Sequence, residues 1–145
     1  MTPALNWLTG SGLAKVEKKD YSWFFNFEQG GHIVTESFWR LVTPERIAVT
    51  SEDHEQLFGL KEPVNAAERV MTTIKNRTIG HYLFSNICSD LILYFEDKIE
   101  LHFLNTSGGY ESWRARKNDV LVVSGGGGRL LKYNLMSNKW VSSET

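Results

Sequence analysis

Tyr21-Ser22-Trp23-Phe24-Phe25-Asn26-Phe27 sets Tyr21, Trp23, Phe25 and Phe27 on one face, at the two-residue spacing of a β-strand. Gln29-Gly30-Gly31 follows and supplies a turn, because glycine reaches positive φ at little steric cost. Ile33 to Val42 then reads as the returning strand. Pro44 interrupts it, since proline has no N–H to give to a ladder, and Arg46 to Thr50 begins another strand. Leu13 to Lys18 precedes the aromatic run as a first strand, after a lead-in over Met1 to Gly12.

The pattern returns further along. Gly12, Val16, Phe27 and Glu28 recur 68 positions later as Gly80, Phe84, Phe95 and Glu96. A Trp-Arg pair follows in each half, Trp39-Arg40 and Trp113-Arg114, with the offset grown to 74 by extra residues around Asn105 to Tyr110. Apolar runs come next in both halves, Ile47-Ala48-Val49 and Val120-Leu121-Val122-Val123. Two readings stay open: duplication of about residues 12–59 as 80–133, or two hairpins that look alike because both obey a period of two.

Between the halves, Ser51 to Lys61 reads as a polar loop closing on Leu57, Phe58 and Gly59. One helix follows, over about residues 63–75. Pro63 suits its first turn, and Val64, Ala67, Val70, Met71 and Ile74 make an apolar stripe. Lys75 and Arg77 put positive charge at the end the helix dipole favours, and Asn76 is a plausible stop. The second half offers strands over Thr78–Asn86, Asp90–Phe95 and Ile99–Phe103, with a tight turn at Asp97-Lys98. A loop opened by Thr106 to Gly109 leads into Tyr110–Arg114, Asn118-Asp119 turns the chain into Val120–Val123, and Arg129–Asn134 reads as the last strand. The expected class is α+β: a largely antiparallel sheet built from two similar β units with one main helix between them, in a single domain 1–145.

A chain of 145 residues is long enough to bury a proper core. Its formal charge of -1 argues against the electrostatic footprint of a nucleic-acid binder. Cys88 is the single cysteine, so no intramolecular disulfide forms, which favours a reducing compartment. No basic start with an apolar stretch marks a signal peptide, and no apolar run approaches the roughly 20 residues that span a bilayer. A cytoplasmic protein with no membrane partner is the expectation.

Asp53-His54-Glu55 is the most reactive-looking cluster, because an imidazole between carboxylates suits a general base. Neighbours along a chain seldom converge, however, so a structural loop in which Asp53 accepts from backbone amides is the favoured reading. His32, His54, His81 and His102 lack metal-ligand spacing to one another or to Cys88, and neither a metal nor a cofactor is expected. Gly125-Gly126-Gly127-Gly128-Arg129 lacks the Lys-Ser/Thr ending of a phosphate loop and reads as a hairpin or a site of close backbone approach. Gly108-Gly109-Tyr110-Glu111-Ser112-Trp113-Arg114 is the most distinctive string, rich in the residue types of binding hot spots. Trp113 is read as a core anchor, whereas Tyr110 and Glu111 are left open between anchoring and binding.

Glu36-Ser37-Phe38-Trp39-Arg40-Leu41, then Thr50 to Gly59 running into Pro63-Val64-Asn65-Ala66, then Ser107-Gly108-Gly109-Tyr110-Glu111-Ser112-Trp113, resemble in that order a small bacterial family with a Gly-Tyr-Glu-Ser-Trp motif. The likeness covers most of the chain from about Tyr21 onward and includes the late glycine run. Members look like immunity-type proteins that stand beside polymorphic or contact-dependent toxins. The resemblance implies a protein with no catalytic residues that binds a cognate toxin domain and blocks its active site or its access to substrate. Glu52, Asp53, Glu55 and Glu111 are acidic candidates for facing a basic nuclease, with His54, Tyr110 and Arg114 beside them. Two alternatives remain: a small-ligand-binding domain or enzyme with a pocket between the β units lined by His54, Tyr110 and Arg114, and a homodimeric module joined through a strand edge or aromatic patch.

Overall fold

A computed structural model describes residues 3–141; Met1, Thr2 and residues 142–145 of the expected domain lie outside the described residues. A 3-10 helix over Pro3–Leu8 leads into β1 (Leu13–Lys19), β2 (Ser22–Phe27), β3 (His32–Thr35), β4 (Trp39–Val42) and β5 (Ile47–Thr50). After a short 3-10 turn at Ser51–Asp53 comes α1 (Ala66–Ile74). β6 (Ile79–Phe84), β7 (Leu91–Phe95), β8 (Ile99–Phe103), β9 (Trp113–Lys117), β10 (Val120–Gly125), β11 (Arg129–Asn134) and β12 (Lys139–Val141) complete the chain.

Two sheets form, with orders β1-β2-β3-β9-β10-β11-β12 and β5-β4-β8-β7-β6. All their ladders are antiparallel. With one main helix the class is α+β. Their apolar faces meet through aromatic edges: Trp39 stands perpendicular to Trp23 at 5.0 Å and to Phe25 at 5.3 Å, and Phe25 meets Phe103 at 4.9 Å. Edge-to-face contacts of this kind add to the burial that drives the sheets together. α1 packs on β1 and β5, while Pro3–Leu8 touches β6 and β10. Gly12 bridges Thr78, tying the start of β1 to the start of β6.

Several elements differ from expectation. The single strand expected over Ile33–Val42 is two strands in different sheets, because Thr35 Oγ1 accepts from the Ser37 N–H (2.9 Å) and turns the chain at Glu36–Phe38. Tyr21 does not share the face of Trp23: Asp20 takes φ 54°, the strand begins at Ser22, and Tyr21 is exposed. The helix starts at Ala66 rather than near Pro63, since the Asn65 side chain accepts from the Glu68 N–H (3.1 Å) and caps it. Val64 is buried but precedes the helix. Arg77 caps the other end by donating to the Thr73 carbonyl (2.8 Å). Arg129–Asn134 is not the last strand, because Tyr133 pairs with Trp140 of β12.

Candidate functional site

The segment Thr50–Glu55 is built as a cap. The Thr50 N–H donates to Asp53 Oδ2 (2.9 Å) and the Glu52 N–H to Thr50 Oγ1 (3.1 Å), so both side chains satisfy amides at a turn. His54 Nδ1 accepts from the Ala66 N–H (3.1 Å), and its ring meets Trp23 edge-on at 5.1 Å. With Nδ1 occupied, Nε2 carries the hydrogen, and the ring offers no free lone pair for base catalysis. Glu55 Oε1 lies 3.8 Å from that nitrogen, and Glu52 and Glu55 point into solvent.

Tyr110, Glu111 and Arg114 come together elsewhere. They line a groove of about 380 Å³ with Val34, Thr35, Glu36 and Ser112. Arg114 alternates with the buried Trp113 and Ala115 and so faces outward from the seven-stranded sheet, whereas His54 sits against Trp23 on the inner side. The sheet therefore separates the two clusters, and His54 is not among the residues lining this groove. Just beyond Glu36–Phe38, the Trp39 N–H donates to Ser51 Oγ (3.2 Å), which links the turn before β4 to the turn that carries Asp53 and His54.

The loop that carries Tyr110 stands on a half-buried polar network. Asn105 Nδ2 donates to Ser89 Oγ (3.2 Å) and the Gly125 carbonyl (3.1 Å). Its Oδ1 accepts from Ser112 Oγ (2.6 Å) and the Ser107 N–H (3.2 Å). Asn105 N–H donates to Asp90 Oδ1 (2.8 Å), and Trp113 Nε1 donates to the Ser89 carbonyl (2.9 Å). Ser107 Oγ accepts from the N–H groups of Gly109 (3.0 Å) and Tyr110 (2.9 Å), and Thr35 Oγ1 donates to the Ser112 carbonyl (2.7 Å). Such networks rigidify when their members are satisfied. Glycine completes the support: an added Cβ would collide with the Gly109 backbone at Gly126 and with the Ile87 carbonyl at Gly128. The run thus permits close backbone approach.

What this scaffold presents is Tyr110, 83% exposed, in one groove with Glu111 and Arg114. Below them on the same sheet face, His32 pairs with Arg116. Burial first, then Arg116 and Arg114, hold its imidazole below the ordinary value. His102 belongs to a different arrangement: Arg40 Nε donates to its Nδ1 (2.9 Å) and its Nε2 lies 2.9 Å from Glu100 Oε1, so both ring nitrogens are engaged. Among the described residues no group of three or more His, Cys, Asp or Glu is placed to hold a metal ion, and no helix is long and apolar enough to cross a membrane.

Sequence reasoning missed Glu36 and Thr35 as groove residues and Asn105 as the centre of the network. Ser107 and Ser112, bracketing Tyr110 in the distinctive string, were the available signal for a hydrogen-bonded loop. No protein family, curated protein or solved structure matches the chain.

Proposed function

We propose that this protein is an immunity-type protein of the bacterial cytoplasm that binds a cognate toxin domain and neutralises it by blocking its active site or its access to substrate, without chemistry of its own. The observation that supports the reading is the exposed Tyr110, sharing a groove with Glu111 and Arg114, on a loop already ordered by the Asn105 network. A rigid aromatic with charged neighbours provides contact area and directed hydrogen bonds at low ordering cost. His54 spends Nδ1 on a backbone amide and His102 spends both ring nitrogens on side chains, which suits a binder better than an enzyme. The test is growth rescue. The C-terminal domain of the large open reading frame immediately upstream is expressed with and without this protein. Restored growth with co-purification upholds the reading; persistent toxicity with both proteins soluble rejects it. Fractionation checks the compartment.

We also propose that the two β units are related and that the site is an elaboration of the second. In one sheet β1-β2-β3 is followed by β9-β10; in the other β6-β7-β8 is followed by β4-β5. Trp39 opens β4 opposite Phe103, and Trp113 opens β9 opposite Thr35. Register shifts fall at Leu13/Lys15 in β1 and at Ile79/His81 in β6. This matching aligns Leu13 with Ile79, not Gly12 with Gly80, since these face Phe27 and Phe95. Residues 104–112 then stand where the first unit has only 36–38, so the added length carries Tyr110. Superposing β1–β5 on β6–β10 by the rotation that carries Gly12 to Thr78 checks the idea; strands that fail to overlay reject it.

The groove itself favours a second reading, a small-ligand site, because about 380 Å³ with Glu36, Glu111 and Arg114 suits a small zwitterion. A thermal-shift screen with amino acids and amino sugars separates the two; no shift with any of them removes this reading.

A further inference from the structure

Residues 55–64 connect the β5 turn to α1, and the connection is tied shut at its root. The Glu55 N–H donates to the Val64 carbonyl (2.8 Å) and the Val64 N–H to the Gln56 carbonyl (2.9 Å). Within the tip, the Leu60 N–H donates to the Leu57 carbonyl (2.8 Å). On either side of the root, Asp53 caps the preceding turn and His54 holds the Ala66 amide while resting on Trp23. The loop is therefore braced against the core at both ends.

Its tip presents the wrong residues for a mere connection. Leu57, Phe58 and Leu60 are 54%, 66% and 54% exposed, three large apolar side chains within four positions. Phe58 also takes φ 49°, a left-handed backbone that disfavours a bulky aromatic, and Gly59 follows at φ 78°. Contiguous exposed apolar groups on a braced loop mark a surface that something covers. Beside the tip, a groove of about 470 Å³ is lined by Leu60, Glu62, Pro63, Val64, Asn65, Glu68 and Arg69. Glu52 just before the loop and Glu55 at its root are both exposed, so with Glu62 and Glu68 the carboxylates outnumber the cations Lys61 and Arg69 around it.

We propose that Leu57, Phe58 and Leu60 form an anchoring element that docks into an apolar pocket with a Lys/Arg rim on the toxin domain. This rests on the immunity reading and names the chemistry of its partner surface. The apolar tip fills the pocket, and Glu55, Glu62 and Glu68 meet the cationic rim, steering association. The same acidic flank repels a second copy of itself and an anionic bilayer, which is why the occupant is a basic-rimmed protein.

The experiment uses the full chain in the rescue assay and in a binding titration with the upstream-encoded toxin domain. It compares wild type with Leu57→Ser/Phe58→Ser, with Glu62→Lys, and with Met136→Ser, a distant exposed apolar control. The double variant is expected to weaken binding by about 100-fold or more and abolish rescue with an unchanged melting temperature. Glu62→Lys is expected to slow association by about 10-fold, and Met136→Ser to behave as wild type. Wild-type rescue matched by the double variant overturns the loop assignment and leaves the immunity reading standing. Absent wild-type binding rejects the immunity reading and the assignment with it. A wild-type dimer that the double variant turns into monomer, or wild-type sedimentation with phosphatidylglycerol vesicles, assigns the tip to another occupant and also overturns the proposal.

Discussion

Trp39 and Trp113 each open a strand that carries the chain from one sheet into the other, and both are fully buried, yet only one indole is satisfied. Trp113 Nε1 donates to the Ser89 carbonyl at 2.9 Å, while Trp39 Nε1 is the one buried side-chain nitrogen or oxygen without a hydrogen-bond partner among the described residues. Removing the two indoles therefore has unequal consequences. Trp113→Phe strands the Ser89 carbonyl, whereas Trp39→Phe deletes an unpaired donor and so offsets part of its cavity cost. The difference in unfolding free energy is expected to be about 1–3 kcal/mol, with Trp113→Phe the worse. Urea denaturation of both variants decides it; equal losses, or a larger one at Trp39, sink the idea.

Asn105 holds the candidate loop and Tyr110 is held by it. Asn105→Ala leaves Ser112 and the Gly125 carbonyl short of partners and is expected to cost about 2–3 kcal/mol. Tyr110→Ala is expected to change stability by less than about 0.5 kcal/mol, since its side chain is largely in solvent. Amide exchange at residues 107–112 should quicken in the first variant and not in the second. The reverse pattern means that the network does not support the loop.

The pH response of His32 has a definite sign. Its folded-state value lies below the ordinary 6.5 through burial, then Arg116, then Arg114, so between the two values the unfolded chain binds the proton more readily. This contribution to stability is complete above about pH 6.5 and is lost as pH falls through the folded-state value. His32→Gln should flatten the stability profile below pH 6.5. Arg116→Gln should raise the His32 midpoint seen by NMR but not restore it, because burial is the larger cause. A midpoint at or above 6.5 in the wild type refutes the argument.

The glycines of the second half are not equivalent. Gly128 has φ 95° and backs onto the Ile87 carbonyl, whereas nothing lies within 4 Å of a Cβ placed at Gly108. Gly128→Ala should cost about 2 kcal/mol or more, combining backbone strain with overpacking, and Gly108→Ala should stay within about 0.5 kcal/mol of wild type. Melting temperatures of the two variants check this directly.

The sequence by itself determined the class, the presence of one main helix and most of the strands. Alternation in Trp23-Phe25-Phe27 and Leu91-Leu93-Phe95, and the spacing of Val70 and Ile74, are local consequences of backbone period, and they need no knowledge of the rest of the chain. Trp113 as a core residue and Asp53 as an amide acceptor were legible for the same reason. Only the tertiary structure decided that Ile33–Val42 breaks between two sheets and that a sheet stands between His54 and Arg114. It alone brought Glu36 beside Tyr110 and left Leu57, Phe58 and Leu60 uncovered. Those outcomes depend on pairings between residues tens of positions apart, such as Thr35 with Trp113 and Trp39 with Phe103, and periodicity along one strand carries no information about which strand lies beside it.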